Sequence, residues 1–303
     1  MSMAALDAAT AAATPTGASA EAIQHHYDVG NAFYALWLDS TMTYSSALWH
    51  RDDEDLETAQ RNKLDWHLAR AGGAGTRRLL DVGCGWGGLI RRALQGNPDR
   101  HCTGLTLSRE QHAFLGGLDP HRADVRLESW ADHQALAPYD GIVSIGAFEH
   151  FARLDQPREE KIAGYRDFFR FCSRNLVEGG HLSLQTIVYE NSARQHFSQF
   201  FEQTIFPESD LPHLAEIAEA SQHLFEIVEL RNDRHHYART LRQWSARLRQ
   251  RREEAIAVAG ERTYRDYEKY LALMVVAFHT GSMNLSRLAL RRLPAAQAFA
   301  TVR

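Results

Sequence analysis

The sequence has few cysteines, no excess of basic residues and no long apolar run. Three cysteines, Cys84, Cys102 and Cys172, are too few and too scattered for a disulfide framework or a cysteine-based zinc site. The 34 basic residues do not outnumber the 38 acidic ones, so no nucleic-acid partner is expected. The best apolar stretch, residues 271–278, is far shorter than the roughly 18–20 residues that cross a bilayer. We therefore expect any membrane contact to be peripheral.

The N-terminal segment lacks the pattern of a secretory signal. Residues 1–20 are rich in alanine and other small residues, carry Asp7 and have no basic region before an apolar one. We predict a flexible tail or a loose N-terminal helix there, and a cytoplasmic location. The chain as a whole is globular in composition, because 44% of its residues are hydrophobic and 24% are charged, which excludes a disordered chain.

Short apolar runs alternate with amphipathic segments through the middle of the chain. Strands are predicted at 77–82, 102–107, 124–128, 139–146, 181–189 and 224–230. Helices are predicted at 87–94 and 165–176, after Ser108 as an N-cap, and later at 211–221, 238–259 and 264–280. This alternation predicts an α/β fold with a doubly wound sheet.

A glycine motif, LLDVGCGWGG at residues 79–88, follows the first predicted strand. Gly83 and Gly85 would let a ligand approach the backbone beyond the carboxyl end of that strand. The spacing differs from the dinucleotide fingerprint, and the motif has no phosphate-binding lysine, which excludes a P-loop. A tight strand-to-helix turn without a ligand is the alternative. The D-x-G-x-G-x-G pattern, with Asp81 two residues before Gly83, resembles motif I of the class I S-adenosylmethionine (SAM) methyltransferases.

Five further segments narrow the resemblance. They are HYDVGNAFYALWLDSTMTYSSALW (26–49), GLTLSREQ (104–111), YDGIVSIGAFEHF (139–151), LQTI (184–187) and HYARTLRQWS (236–245). In this order they resemble the cyclopropane fatty acid synthase family, including the mycolic acid cyclopropane synthases, from about residue 24 to about residue 280. The resemblance implies a Rossmann-like class I methyltransferase sheet with an N-terminal helical lid and a helical cap inserted in the C-terminal half.

The resemblance also implies a domain organisation and a set of cofactor contacts. We expect a tail at 1–20, the lid at 21–70, a SAM-binding core at 71–190, and the remaining core strands with the substrate cap at 191–303. The residues expected to bind SAM are Tyr44 and Ser45 in the lid, Asp81, Gly83 and Gly85 in the glycine motif, Thr106, Leu107 and Gln111 beside the adenosine, and Trp130 beside the adenine. Trp130 has an alternative role as a core tryptophan.

A second implied site would hold the methyl acceptor. In the family a bicarbonate ion is understood to act as the base, in a cradle of Cys, Glu, His, Tyr and a backbone contact at Ile. The matching residues here are Ser46, Glu149, Gln185, Tyr237 and Ile187. Ser46 and Gln185 depart from the pattern, although both can still donate a hydrogen bond. Because Gln185 does not titrate, three roles stay open: bicarbonate as base, Glu149 alone as base, or no base at all. A structural alternative for Glu149 is to cap the following helix.

Three other features have a functional and a structural interpretation. His235 and His236 stand beside Tyr237, but no third ligand has metal-binding spacing, so no metal is predicted. Aromatic residues at 197–206 and 264–278 would line an acyl tunnel or simply pack helices. Arginines at 231–252 would meet an anionic lipid surface or an acyl carrier protein, or form a solvated helix face.

Together these patterns predict a SAM-dependent C-methyltransferase. It would methylate an alkene in a lipid acyl chain through a carbocation, giving a cyclopropane ring or a methyl branch. One alternative is a C-, N- or O-methyltransferase of a small specialised metabolite on the same fold. Another is a SAM-binding protein without catalysis. The acceptor and the oligomeric state are left open.

Overall fold

The computed structural model describes residues 29–153, 156–192 and 209–294. The predicted tail and the aromatic stretch at 197–206 lie outside these ranges. The helices and strands follow in the order α1 Asn31–Tyr34, α2 Leu56–Arg70, β1 Arg78–Val82, α3 Gly88–Gly96, β2 His101–Thr106, α4 Arg109–Phe114, β3 Ala123–Leu127, β4 Tyr139–Ile145, α5 Arg158–Asn175, β5 Leu176–Tyr189, α6 Leu214–Ser221, β6 Phe225–Asn232, α7 Arg234–Gln250, α8 Arg252–Thr280 and β7 Met283–Arg292.

The seven described strands form one mixed sheet in the order β3-β2-β1-β4-β5-β7-β6. The first five are parallel to one another, as the alternation of strands and helices predicts. In β4 the central residues are fully buried, which is the reason for its continuous apolar sequence. The carboxyl ends of β1, β2 and β4 therefore meet at one edge of the sheet, where ligands bind in folds of this class.

β7 is absent from the sequence-based prediction, which ends with the helix at 264–280. It runs antiparallel between β5 and β6, so the sheet is parallel only in its first five strands. The other main correction concerns the helix predicted at 238–259. It is divided between α7 and α8 by Arg251, and Gly260 has a non-helical φ of 84° that kinks α8. The predicted N-cap is confirmed, because the Ser108 side chain accepts from the backbone N–H of Gln111.

The predicted lid is less helical than expected. Only α1 and α2 are helical in its described part, and residues 35–55 form turns and irregular chain. This segment is held by aromatic packing against the C-terminal helices: the ring centroids of Trp37 and Trp244 are 5.5 Å apart, and those of Phe33 and Tyr267 are 5.0 Å apart. Aromatic pairs at such distances are stabilising beyond their buried area. Along the described ranges, no helix combines the length and apolar character needed to cross a membrane.

Candidate active site

One cavity lies at the carboxyl ends of β1 and β2 and beside residues 42–45 of the lid. The nine residues that the family resemblance assigns to SAM all line it: Tyr44, Ser45, Asp81, Gly83, Gly85, Thr106, Leu107, Gln111 and Trp130. The structure therefore brings together side chains that are up to 86 residues apart in the sequence, from Tyr44 to Trp130. Their contact with a cofactor remains a prediction.

The glycine motif leaves bare backbone along one wall of this cavity. Gly83 has a φ of 80°, and a Cβ there would lie 2.6 Å from the Cβ of Ala147. Gly85 has a φ of 55°, and a Cβ there would meet nothing within 4 Å. The turn is held to β2, because the N–H groups of Gly83 and Cys84 both donate to the carbonyl of Leu105. The loop thus combines a tight turn with open space over Gly85, which fits the close approach of a cofactor.

The far end of the cavity offers groups suited to an adenosine. The Thr106 hydroxyl donates to Gln111 Oε1 at 2.8 Å, which leaves the amide N–H groups of Gln111 as donors. Trp130 lines the cavity and also packs against the rings of Phe151 and Phe168, at 5.4 Å and 5.5 Å. Its ring thus lies between the core and the cavity, and its place beside the adenine stays a prediction.

The other end of the cavity carries two buried ionisable groups. Burial raises the pKa of Asp81 to about 7, although the nearby Lys63 lowers it. Burial lowers the pKa of Lys63 to about 7. The ammonium of Lys63 donates to the hydroxyl of Ser45 at 2.9 Å. Lys63 is absent from the sequence-based prediction.

Glu149 and Ile187, both predicted for the acceptor site, are in direct contact. The backbone N–H of Ile187 donates to Glu149 Oε1 at 2.7 Å. Burial raises the pKa of Glu149 to about 7, against the opposing effect of this hydrogen bond. Its other oxygen, Oε2, accepts no hydrogen bond from any residue in the described ranges. Glu149 lies in a 3-10 turn, Phe148–His150, and bonds to β5, so it does not cap a helix.

Ser46 and Gln185 are joined by an arginine that the sequence-based prediction omits. Arg287, on β7, is fully buried; its Nε donates to Gln185 Oε1 at 2.8 Å and its Nη2 donates to the carbonyl of Ser46 at 3.1 Å. Its charge is balanced by Asp233, with which it forms a buried ion pair. His67 Nε2 lies 3.3 Å from the same oxygen of Gln185. Because this oxygen accepts from Arg287, His67 is assigned the Nε2–H tautomer.

Tyr237 lies in the first turn of α7, and its ring is buried against Phe278, with a centroid distance of 4.5 Å. None of the five predicted acceptor-site residues lines the cofactor cavity itself. The neighbouring His236 accepts from the backbone N–H of Trp49 at 2.9 Å, and it has a structural role. In the part of the chain that the structure describes, no group of three metal-ligating side chains occurs.

Comparison with known proteins identifies the family. The model of the mycolic acid cyclopropane synthetase family matches residues 15–288. Cyclopropane mycolic acid synthase 2 of Mycobacterium leprae is 36% identical over 272 residues, which is 83% of this chain and 87% of that protein. Hydroxymycolate synthase MmaA4 of Mycobacterium tuberculosis is 37% identical over 276 residues, with 85% and 88% of the two chains covered.

Solved structures agree. The mycolic acid cyclopropane synthase CmaA1, complexed with S-adenosylhomocysteine (SAH) and CTAB, has a TM-score of 0.81 at 32% identity over 91% of this chain and 99% of that chain. Coclaurine N-methyltransferase, 19% identical with a TM-score of 0.76 over 92% of this chain and 84% of that chain, shows the shared methyltransferase fold alone. This chain therefore belongs to the mycolic acid cyclopropane synthetase family and is a SAM-dependent methyltransferase.

Proposed function

We propose that this enzyme methylates an alkene carbon in a long acyl chain and then closes a cyclopropane ring or leaves a methyl branch. The observation that carries the proposal is the buried carboxyl of Glu149, held through one oxygen by Ile187 and with the other oxygen unbonded to any described residue. The relatives support it, because they are named as synthases of cyclopropane, methoxy and hydroxy mycolic acids. The long alkyl chain of CTAB in the CmaA1 complex is consistent with an acyl site in the family.

The cofactor cavity fits SAM, because bare glycine backbone, the amide of Gln111, the ring of Trp130 and opposite charges line one space. SAM, when bound, supplies an electrophilic methyl group. The residues named above would hold it. Gly83 and Gly85 would place their bare backbone against the cofactor, and Gln111 and Trp130 would surround its adenosine. Four polar residues of the cavity wall, Ser45, Asp81, Thr106 and Gln111, are buried, which limits the access of water to a bound cofactor.

In this proposal Glu149 moves the proton. Ring closure requires a base, because a proton must leave the added methyl group as its carbon bonds to the second alkene carbon. With a pKa of about 7, Glu149 is ionised in a large fraction of molecules near neutral pH, and it can accept that proton. The N–H of Ile187 holds Oε1, so Oε2 is the atom that receives it.

The surrounding aromatic groups suit a cationic acyl chain. The rings of Tyr237, Phe278 and Trp244 pack together, with centroid distances of 4.5 Å and 6.1 Å from Tyr237. Aromatic faces attract cations, so this cluster would stabilise positive charge on the substrate without offering a nucleophile.

Bicarbonate is a further part of the proposal. Gln185 retains amide N–H donors, and the buried cation of Arg287 lies behind it. These groups would favour an anion, although Gln185 cannot share a proton as a histidine can. If Glu149 suffices as the base, turnover will not respond to bicarbonate.

Contact with a lipid surface or an acyl carrier protein is also part of the proposal, but fewer arginines are available for it than the sequence indicates. Arg239 binds the carbonyl of Arg51 and stacks on Trp49 at 3.9 Å, and Arg247 pairs with Glu57. Arg242 and Arg251 remain exposed and are the candidates for this contact.

The test is a product assay. Purified protein and SAM are incubated with vesicles of unsaturated phospholipid, with and without bicarbonate, and the released acyl chains are analysed by mass spectrometry. Addition of one CH2 unit supports the lipid acceptor, and loss of the double bond without branching shows ring closure. If no CH2 unit is added although SAH still binds, the lipid proposal is contradicted and a small-metabolite acceptor is favoured. The observation that supports this second acceptor is Gln185, which does not titrate and stands where the family resemblance has a histidine.

A further inference from the structure

Lys63 is a buried cation at the wall of the cofactor cavity. It lies in the middle of α2 with 1% of its surface exposed. Its ammonium donates one hydrogen bond, to Ser45 Oγ, which leaves two N–H groups with no partner among the residues that the structure describes. A buried ammonium with unsatisfied donors is costly unless a ligand completes its shell.

The charges that line the cavity are few. Among the lining residues described, Lys63 is the one lysine or arginine, and Asp81 and Glu128 are the acidic residues. His150 contributes no charge near neutral pH, because burial lowers its pKa to about 4. Glu128 is already bonded to His133 at 2.7 Å. Lys63 and Asp81 are thus the opposite charges that remain at the lid end of the cavity.

Lys63 and Asp81 are neighbours but do not form a direct ion pair. Their charged atoms are more than 4 Å apart, since no salt bridge joins them, yet each shifts the pKa of the other. Two buried groups of opposite sign that line one cavity without a salt bridge to each other match a zwitterion, which carries one carboxylate and one ammonium.

We propose, building on the methyltransferase function above, that Lys63 binds the carboxylate of the methionine moiety of SAM while Asp81 faces its ammonium. Lys63 then also couples the cofactor to the lid, because the same ammonium holds the Ser45 side chain. Asp39 on the lid, Asp81 on β1 and Arg287 on β7 act on the charge of Lys63, the first two favouring the ammonium and the third opposing it. A bound carboxylate would add to the favourable side.

The inference is tested with two ligands that differ only in the carboxylate. SAH carries it, and decarboxylated SAH keeps the thioether, the ammonium and the adenosine. Isothermal titration gives Kd for each with wild-type protein, Lys63→Met, Lys63→Arg and Gln60→Met. Gln60 is a matched control: it is buried on α2 and donates to the carbonyls of Thr43 and Ser45, but it does not line the cavity.

We expect wild-type protein to bind SAH about tenfold or more tightly than the decarboxylated ligand. Lys63→Met should lose this preference, Lys63→Arg should keep part of it, and Gln60→Met should weaken both ligands by the same factor. Equal affinities in wild-type protein would overturn the inference even if Lys63→Met fails to fold. An unchanged preference in folded Lys63→Met would do the same. Absence of SAH binding by wild-type protein would instead contradict the cofactor assignment on which the proposed function rests.

Discussion

The guanidinium of Arg287 donates to the side-chain oxygen of Gln185 across 2.8 Å. A fully buried cation thus stands directly behind one of the two residues that depart from the family cradle. The same arginine binds the carbonyls of Ser46 and Ala47, at 3.1 Å and 3.0 Å, so it ties the other departing residue to the sheet. Ser46 and Gln185 are therefore parts of one network centred on β7.

Replacement of Arg287 by methionine should destabilise the enzyme strongly. The change leaves the buried carboxylate of Asp233 with Arg231 as its one remaining arginine partner among the described residues, and it removes the donors to Gln185 and to the carbonyls of Ser46 and Ala47. Breaking a buried pair costs about 3–5 kcal/mol in comparable cases. Arg291→Met is a matched control on the same strand, because its pair with Glu226 is about half exposed and is worth about 1 kcal/mol or less. Urea unfolding of both variants measures the difference. Equal losses would show that Arg287 is not the anchor of this network.

Glu149→Gln should separate binding from turnover. The amide still accepts from Ile187 but cannot take a proton, so SAH affinity should be unchanged and kcat should fall by about 100-fold or more. Wild-type kcat should fall as the pH drops through about 7, because the base becomes protonated. Glu178→Gln, an exposed change on β5, serves as the control. Retained turnover in Glu149→Gln would remove Glu149 from the chemistry.

The same carboxyl predicts a pH dependence of stability. Its folded pKa of about 7 lies above the reference value of 4.5, so the folded state binds more protons than the unfolded state between these pH values. Wild-type stability should therefore fall relative to Glu149→Gln as the pH rises from about 4.5 to 7, by an amount on the order of 3 kcal/mol. Chemical denaturation of both proteins at pH 5 and at pH 8 is the measurement. A wild-type free energy of unfolding that stays constant or rises relative to that of Glu149→Gln between pH 5 and pH 8 would contradict the raised pKa.

Gly85→Val should abolish cofactor binding and should lower the stability no more than the control variant described below. Gly85 has positive φ, and a Cβ there meets nothing within 4 Å, so a side chain would occupy the cavity rather than clash with the protein. Gly179→Val is the control, because Gly179 has the same open surroundings and positive φ but does not line the cavity. Both should lose about 1–2 kcal/mol of stability. SAH titration should show binding lost in Gly85→Val alone.

Ser46→Cys combined with Gln185→His would rebuild the cradle that the family resemblance implies. We expect turnover of this double variant to become dependent on bicarbonate, because an imidazole can share a proton with the anion. The adjacent Arg287 should keep that imidazole neutral, since like charges disfavour its protonation. Turnover is compared with and without added bicarbonate, against each single variant. If product and bicarbonate response match those of the wild type, the two departures do not determine the base.

The parallel half of the fold was predictable because its signals are local. β1, β2 and β4 are largely buried strands and each is followed by a turn, so the sequence alone locates Asp81, Thr106 and Glu149 near strand ends. Parallel pairing then brings those ends to one edge of the sheet. The placement of the nine predicted cofactor residues around one cavity follows from the same rule together with the resemblance of the lid segment to the family.

The buried cations could not be predicted in this way. Lys63 lies on a helix whose apolar residues, Leu56 and Leu64, indicate one buried face; the structure also buries Gln60, Lys63 and His67 on α2. A lysine in such a position normally faces solvent, and only the cavity across from it explains the exception. Arg287 is similar: its burial depends on Asp233, 54 residues away, and on an antiparallel pairing that no local pattern indicates.

β7 also determines the order in which the enzyme can be assembled during translation. It lies between β5 and β6, both of which are synthesised earlier and do not pair with each other. Until β7 leaves the ribosome, β5 presents an open edge that is prone to pairing with other chains. The donors that tie Ser46 and Ala47 to the sheet arrive with the same strand. A nascent chain can therefore form the glycine motif and its neighbouring strands early, whereas the network around Ser46 and Gln185 closes only after residue 287 has been translated.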